Sequence, residues 1–170
     1  SPDDLARDLQ GVDRFLYVGH IRPAPENSPG ASALVLSDHE RAMLLTAQQW
    51  FARPQHWRAP RSVALVGCGS DDAHHREQTG LAMAALAAGA HHVLATRWVL
   101  PADGPDHTGT TDLGVAVLYL QRAPGVVSEL ARWQRAMLAA WRAGGTVASS
   151  PLFWASLVAY TSPTGWVDET

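Results

Sequence analysis

The chain has 170 residues, of which 46% are hydrophobic and 17% charged, and its net charge is −3 at pH 7. This composition favours one folded domain with a full-sized core and excludes an intrinsically disordered chain. It also argues against nucleic-acid binding and membrane insertion, because no basic face is present and the apolar runs are shorter than about 18 residues. A single cysteine excludes an internal disulfide and indicates a reducing compartment, so we expect a cytoplasmic location.

The first half of the chain contains two nearly continuous apolar runs, VDRFLYVGH (12–20) and RSVALVGC (61–68). Such runs are typical of parallel strands that are covered on both faces. Between them, SDHERAMLLTAQQWFA (37–52) is predicted to be a helix whose cap is Ser37 or Asp38. The other predicted elements of this half are a helix at 3–10, a loop at 21–30 and an edge strand at 31–37.

The second half alternates helices with strands. A helix rich in small residues ends at Gly89, where a left-handed C-cap is expected. Alternation of strands and helices along the whole chain predicts an α/β fold with a mostly parallel sheet. The predicted elements of this half are helix 77–89, strand 91–99, loop 100–111, helices 111–123 and 126–145, and strand 152–160.

His20 and Cys68 each stand at the carboxyl end of a predicted buried strand. Ligands of open α/β sheets bind beyond the carboxyl ends of the strands. We therefore expect strands 12–19 and 61–67 to be parallel neighbours that bring His20 and Cys68 to one edge of the sheet. The alternative is a structural cysteine, since free cysteine is among the most buried residue types.

A neighbouring imidazole can take the proton of a thiol or stabilise the thiolate, which then attacks a carbonyl carbon. The imidazolium protonates the leaving amine, and backbone N–H groups of tight turns stabilise the oxyanion. Gly67 and Gly69 flank Cys68, which favours an accessible thiol over a core position. The pattern thus indicates acyl-transfer chemistry by a His20/Cys68 pair.

Four segments, FLYVGH, VALVGCGS, EQTGLAMAALAAGAHHVLATRWV and FWASLVAYTS, resemble in order and spacing the CHAT domain, a caspase-like peptidase domain of clan CD. The resemblance extends from Phe15 to Ser162. It implies a caspase-like three-layer sandwich, a His20/Cys68 dyad and peptide-bond hydrolysis without a cofactor. It also implies a bacterial regulatory or defence protein in which an activating domain or partner controls access to the site.

The chain departs from the family pattern at two positions and at its start. Ile21 follows the histidine where the family often has glycine, and Arg97 precedes Trp98 where an uncharged residue is common. The segment that usually precedes the Gly-His strand is absent. We therefore expect residues 1–170 to form a single CHAT-like domain that lacks its N-terminal part or is excised from a larger protein.

The backbone N–H groups of Ile21 and Gly69 are the expected oxyanion donors. A peptide substrate is expected to add as a strand to an edge segment such as 32–36. Charged residues near the site could form a pocket for the substrate residue before the cleaved bond. An acidic pocket would favour a basic substrate residue, and an arginine-lined pocket would favour an acidic one. If these charges are only solvated loop residues, neither preference is expected. The candidates for this pocket are Arg22, Asp71, Asp72 and Arg97.

Two alternatives to a peptidase follow from the same residues. The departures at Ile21 and Arg97 favour a catalytically silent interaction module, and a hydrolase of small substrates with the same dyad is a third possibility. Two histidine pairs, 74–75 and 91–92, suggest metal, but no zinc-ligand spacing accompanies them, so no metal site is predicted. The GCGS segment lacks the Gly-Lys-Ser/Thr of a phosphate loop, so nucleotide binding is not predicted.

Overall fold

The computed structural model describes residues 2–25, 28, 30–38, 41–67, 80–98 and 100–163. The strands are β1 (Arg14–Gly19), β2 (Ile21–Arg22), β3 (Ala33–Asp38), β4 (Arg41–Thr46), β5 (Ser62–Gly67), β6 (His92–Thr96) and β7 (Leu157–Thr161). The helices are α1 (Pro2–Leu9), α2 (Ala47–Ala52), α3 (Leu81–Ala87), α4 (Gly109–Leu120), α5 (Val126–Arg142) and α6 (Pro151–Trp154), with a 3₁₀ turn at Val147–Ser149.

The central sheet has the strand order β1-β5-β6-β7. β1 and β5 are parallel neighbours, in register from Arg14 opposite Ser62 to Gly19 opposite Gly67. β6 runs parallel to β5, and β7 runs antiparallel to β6. The predicted parallel adjacency of strands 12–19 and 61–67 and the mostly parallel sheet are therefore confirmed. β1 is not the buried strand that its apolar run predicted, because it stands at the end of the strand order and its residues are half-buried or exposed.

Side chains of the central strands alternate between two apolar clusters, one on each face of the sheet. Val63 and Leu65 pack with residues of α1, α2, α3 and the small sheet. Ala64 and Val66 pack with residues of α4, α5 and α6. β5 is fully buried because both of its faces are covered, which is why its sequence is apolar without interruption. The result is the expected three-layer α/β sandwich.

The predicted helix at 37–52 is wrong in its first part. β4 pairs antiparallel with β3 along its whole length, and β2 joins them in a second sheet of order β2-β3-β4. Only α2 is helical, and its cap is Thr46, not Ser37 or Asp38. The Thr46 hydroxyl accepts from the Gln49 N–H at 3.0 Å, while the Gln49 side chain accepts from the Thr46 N–H at 2.9 Å. This capping box is a sequence signal that places the helix start correctly.

The predicted strand at 152–160 is also wrong in its first part, which forms α6. The Ser150 hydroxyl accepts from the Leu152 N–H at 3.3 Å, and Pro151 occupies the first helical turn. A capping serine followed by proline is a helix start, and it overrides the apolar run that follows. The strand begins only at Leu157, where pairing with β6 becomes possible.

The remaining elements follow the predictions with shorter bounds. Gly89 has the predicted left-handed conformation, with φ of 107°. α3 begins at Leu81, and residues 77–79 of the predicted helix lie outside the described residues. α4 begins two residues earlier than predicted, where the Asp103 carboxylate accepts from the N–H groups of Thr110 and Thr111. No helix in the described part of the chain is long and apolar enough to cross a membrane.

Candidate functional site

The candidate site lies at the carboxyl end of β1 and β5. Gly19, the last residue of β1, is in register with Gly67, the last residue of β5. His20 and Cys68 are the next residues in the sequence after these two glycines. Cys68, Gly69, Asp71 and Asp72 fall outside the described residues, so their predicted roles stay predictions. The described part of the site is built from the two strand ends and what surrounds them.

The two strand ends approach each other closely because Gly67 has no side chain. A Cβ at Gly67 would collide with the Gly19 carbonyl oxygen and would lie 3.0 Å from Cδ1 of Ile21. Any larger residue would push β1 and the chain after it away from β5. The glycine before the cysteine therefore has a packing role in the described fold.

Thr96, the last residue of β6, binds the end of β5 through its hydroxyl. Backbone pairing between β5 and β6 ends at Leu65 opposite Ala95. Beyond that point the Thr96 Oγ1 accepts from the Gly67 N–H at 3.0 Å and donates to the Gly67 carbonyl at 2.5 Å. Thr96 is fully buried, so these bonds are shielded from water. The hydroxyl thus replaces the sheet ladder at the residue before Cys68.

His20 is the single residue between β1 of the central sheet and β2 of the small sheet. Its side chain is exposed, as access to a substrate requires. Its carbonyl accepts a hydrogen bond from the Val35 N–H at 3.1 Å. The main chain of His20 is therefore held by β3, while the imidazole remains accessible.

Ile21 points its side chain into the core, where it is 3% exposed. It stands opposite Leu34 in the small sheet. Because His20 and Val35 form the adjacent hydrogen-bonded position, Ile21 and Leu34 are a non-hydrogen-bonded pair, whose N–H groups point away from each other. The Ile21 N–H is therefore not directed at β3.

Two of the four pocket candidates lie in the described residues, and both are exposed near the carboxyl edge. Arg22 follows Ile21 and stands opposite Ala33. Arg97 directly follows Thr96, and its N–H donates to the Ser156 carbonyl at 3.0 Å. The fold therefore brings both guanidinium-bearing residues to the edge at which β1, β5 and β6 end.

The prediction that a substrate strand adds to segment 32–36 is wrong, because β3, which contains most of this segment, is not an edge strand. β3 is the middle strand of the small sheet, paired with β4 on one side and with β2 at Ala33 and Leu34 on the other. The Val35 N–H is also occupied, because it donates to His20. A substrate strand cannot add to backbone groups that are already paired.

Sequence reasoning missed a cavity of about 330 Å³ beyond the carboxyl end of β6. Trp141, Leu152 and Phe153 are among its lining residues. The Trp98 indole donates to the Leu152 carbonyl at 2.9 Å and so links the end of β6 to α6. The lining residues come from separate segments of the chain between Pro101 and Phe153, so only the fold shows that they surround one opening.

Metal binding has no support in the described residues, where no group of three or more His, Cys, Asp or Glu side chains is placed to hold an ion. This statement does not extend to His74 and His75, which lie outside the described residues.

The comparisons with known proteins agree with the fold described above. The family model of the CHAT domain matches residues 1–162. No curated protein shows significant similarity to the chain. Since the family match covers nearly the whole sequence, from α1 through β7, the chain belongs to the CHAT domain family.

Proposed function

We propose that this protein is a cysteine endopeptidase domain that cleaves a protein substrate, with Cys68 as the nucleophile and His20 as the general base and acid. The observation that carries the proposal is the register of β1 and β5, in which the residues before His20 and Cys68 stand opposite each other in adjacent parallel strands. Membership of a family related to caspase-like cysteine peptidases supports the same chemistry.

In this mechanism the His20 imidazole accepts the Cys68 thiol proton as sulfur attacks the carbonyl carbon of the scissile bond. The oxyanion accepts hydrogen bonds from the Ile21 and Gly69 N–H groups. The C–N bond breaks, and the imidazolium gives its proton to the departing amine. A water molecule, deprotonated by His20, then hydrolyses the thioester and restores the thiol.

The burial of Ile21 supports this role for its backbone. A side chain directed into the core does not obstruct the approach of a peptide to His20. The Ile21 N–H points away from β3, so the pairing of β2 with β3 does not use this donor. The isoleucine that replaces the common glycine is therefore compatible with catalysis.

The substrate residue before the cleaved bond is proposed to be acidic. Arg22 and Arg97 are exposed near the edge where His20 lies, and guanidinium groups bind carboxylates well. If Asp71 and Asp72 line the pocket instead, the preference is for a basic residue. A partner or a further domain is proposed to control access, in a cytoplasmic bacterial regulatory or defence system.

A second candidate function is a non-catalytic interaction module. It is favoured by the exposed apolar side chains of Trp141 and Leu152, which line the cavity and are 42% and 46% exposed. Trp98, whose indole donates to the Leu152 carbonyl, is 38% exposed. Exposed apolar groups near one another often mark a protein contact. This function predicts partner binding that is unchanged by Cys68→Ala.

The test is alkylation of the folded protein with iodoacetamide over a range of pH, together with cleavage of a peptide library. We expect Cys68 to react with a midpoint below the ordinary thiol pKa of about 8.5, and His20→Ala to slow the reaction. Any cleavage is expected to disappear in Cys68→Ala. A Cys68 that reacts only after unfolding, or at the same rate in His20→Ala, would overturn the proposed dyad.

A further inference from the structure

Tyr17 connects the two sheets at the position of His20. Its hydroxyl oxygen lies 2.7 Å from the His20 carbonyl oxygen and 3.0 Å from the Val35 carbonyl oxygen. The Val35 N–H also donates to the His20 carbonyl, at 3.1 Å. The His20 carbonyl therefore accepts one hydrogen bond from a main-chain donor of β3 and one from a side chain of β1.

The Tyr17 ring is held in place by the core and by Gly19. The ring packs against the apolar cluster that contains Ile21 and Leu34. A Cβ at Gly19 would lie 2.9 Å from the Tyr17 hydroxyl oxygen and 3.0 Å from Cζ, so the ring occupies the space left by the missing side chain. This packing directs the hydroxyl toward the His20 carbonyl, three residues further along the chain.

The hydroxyl stays a donor at neutral pH. Burial raises the pKa of the Tyr17 phenol above its ordinary value of 10.0. A protonated phenol can donate to either carbonyl oxygen but carries one proton, so the His20 and Val35 carbonyls share a single donor. Of the two, the His20 carbonyl oxygen lies closer.

His20 needs such a constraint because it is the single residue between β1 and β2 and belongs to neither of these strands. We propose that Tyr17 is a positioning residue, which fixes the main chain of His20 so that the imidazole leaves the end of β1 in the direction the reaction requires. The inference rests on the proposed function of His20. Without the Tyr17 hydroxyl, the His20 carbonyl keeps only the bond from Val35, and the imidazole samples other directions.

The experiment is a double-mutant cycle on the rate of Cys68 alkylation at pH 7, using Tyr17→Phe, His20→Ala and the double variant. Tyr17→Phe removes one oxygen atom and leaves the ring packing intact. We expect it to slow alkylation about tenfold, because a small displacement of a reacting group costs one to two orders of magnitude. In the His20→Ala background the same substitution is expected to have no effect.

The matched control is Tyr119→Phe, since Tyr119 is 67% exposed on α4. It is expected to react like the wild type. Gly19→Ala is the second variant, because its new Cβ displaces the Tyr17 hydroxyl without removing it. We expect Gly19→Ala to slow alkylation as well, so the inference stays testable if Tyr17→Phe does not fold.

The outcomes separate this inference from the proposed function. If His20→Ala slows alkylation but folded Tyr17→Phe and Gly19→Ala react like the wild type, the dyad stands and the role of Tyr17 is rejected. Equal slowing by Tyr17→Phe with and without His20 also rejects it, because Tyr17 then acts by another route. If His20→Ala has no effect, the dyad and the inference both fail.

Discussion

The two edges of the central sheet use their polar side chains in different ways. At the carboxyl edge, the hydroxyls of Tyr17 and Thr96 bind the main chain at His20 and Gly67. At the amino edge, the Gln121 amide donates to the Phe15 carbonyl at 3.1 Å and to the Ser62 hydroxyl at 3.0 Å.

The carboxyl edge therefore fixes the chain just before and at the two candidate catalytic residues, whereas the amino edge closes the core. Ser62 and Gln121 are buried at the amino edge, while the His20 side chain is exposed at the other. Hydrogen bonds from polar side chains thus stabilise the fold at the amino edge. At the carboxyl edge they stabilise the fold and, by our proposal, also position the catalytic residues. Substitutions at the two edges should separate these effects.

The largest expected effect is that of Gly67→Ala at the carboxyl edge. The new Cβ would collide with the backbone oxygen of Gly19, which cannot move as a flexible side chain does. We expect the free energy of unfolding to fall by about 3 kcal/mol, the upper end of typical overpacking costs. Urea denaturation monitored by tryptophan fluorescence measures it.

Gly11→Ala is the control, because no atom lies within 4 Å of a Cβ at that position. It should leave the free energy of unfolding within about 0.5 kcal/mol of the wild type. If Gly67→Ala is as stable as Gly11→Ala, the close approach of β1 and β5 is not required for the fold.

A smaller loss is expected for Thr96→Val, which keeps the shape of the side chain but removes the hydroxyl. The Gly67 N–H and carbonyl then lose their bonds to Oγ1 inside the core, which costs about 1–3 kcal/mol. Thr96→Val is also expected to slow Cys68 alkylation, because the end of β5 is no longer held. Thr96→Ser keeps the hydroxyl and should retain most of the alkylation rate.

Gln121→Met provides the comparison at the opposite edge. It removes the bonds to Phe15 and Ser62, and its expected cost is about 1 kcal/mol. The alkylation rate of Cys68 should not change. Should Gln121→Met slow alkylation as much as Thr96→Val does, the distinction between the two edges is lost.

The smallest expected effect is a pH dependence at the amino edge. Burial lowers the pKa of His92 below its ordinary value of 6.5, and the positive charges of Arg61 and His91 lower it further. A lowered pKa in the folded state means that the neutral form stabilises the fold. This contribution is complete above pH 6.5 and is lost as the pH falls through the folded pKa.

Urea unfolding at pH 7.5 and at pH 5.0 checks this, with His92→Gln as the variant that cannot titrate at this position. The wild type should lose more of its free energy of unfolding between the two pH values than His92→Gln does. Equal losses would show that His92 does not contribute to the acid sensitivity of the protein.

Several features were predictable from local sequence. A continuous apolar run is stable only where both faces of a strand are covered, so β5 could be assigned as a buried strand and its parallel pairing with β1 inferred. The same expectation is wrong for β1, which stands at the end of the strand order and is half-buried or exposed along its length. Gly19 and Gly67, which end these two strands, therefore marked the edge at which we propose that the site lies. The left-handed Gly89 was predictable for the same local reason, since glycine adopts that conformation without steric cost.

Local sequence did not decide the secondary structure of segments whose residues fit both a helix and a strand. Residues 42–45 are apolar and fit a helix or a strand, and pairing of β4 with β3 decided for a strand. The bonds from Thr96 to Gly67 and from Tyr17 to Val35 form only after β6 and β3 reach the edge where β5 and β1 end. Thr96 is separated from Gly67 by 29 residues, and Tyr17 from Val35 by 18, so no sequence period encodes these contacts. They are decided by the tertiary structure, because a hydroxyl bonds to whichever backbone groups the packed sheets bring within reach.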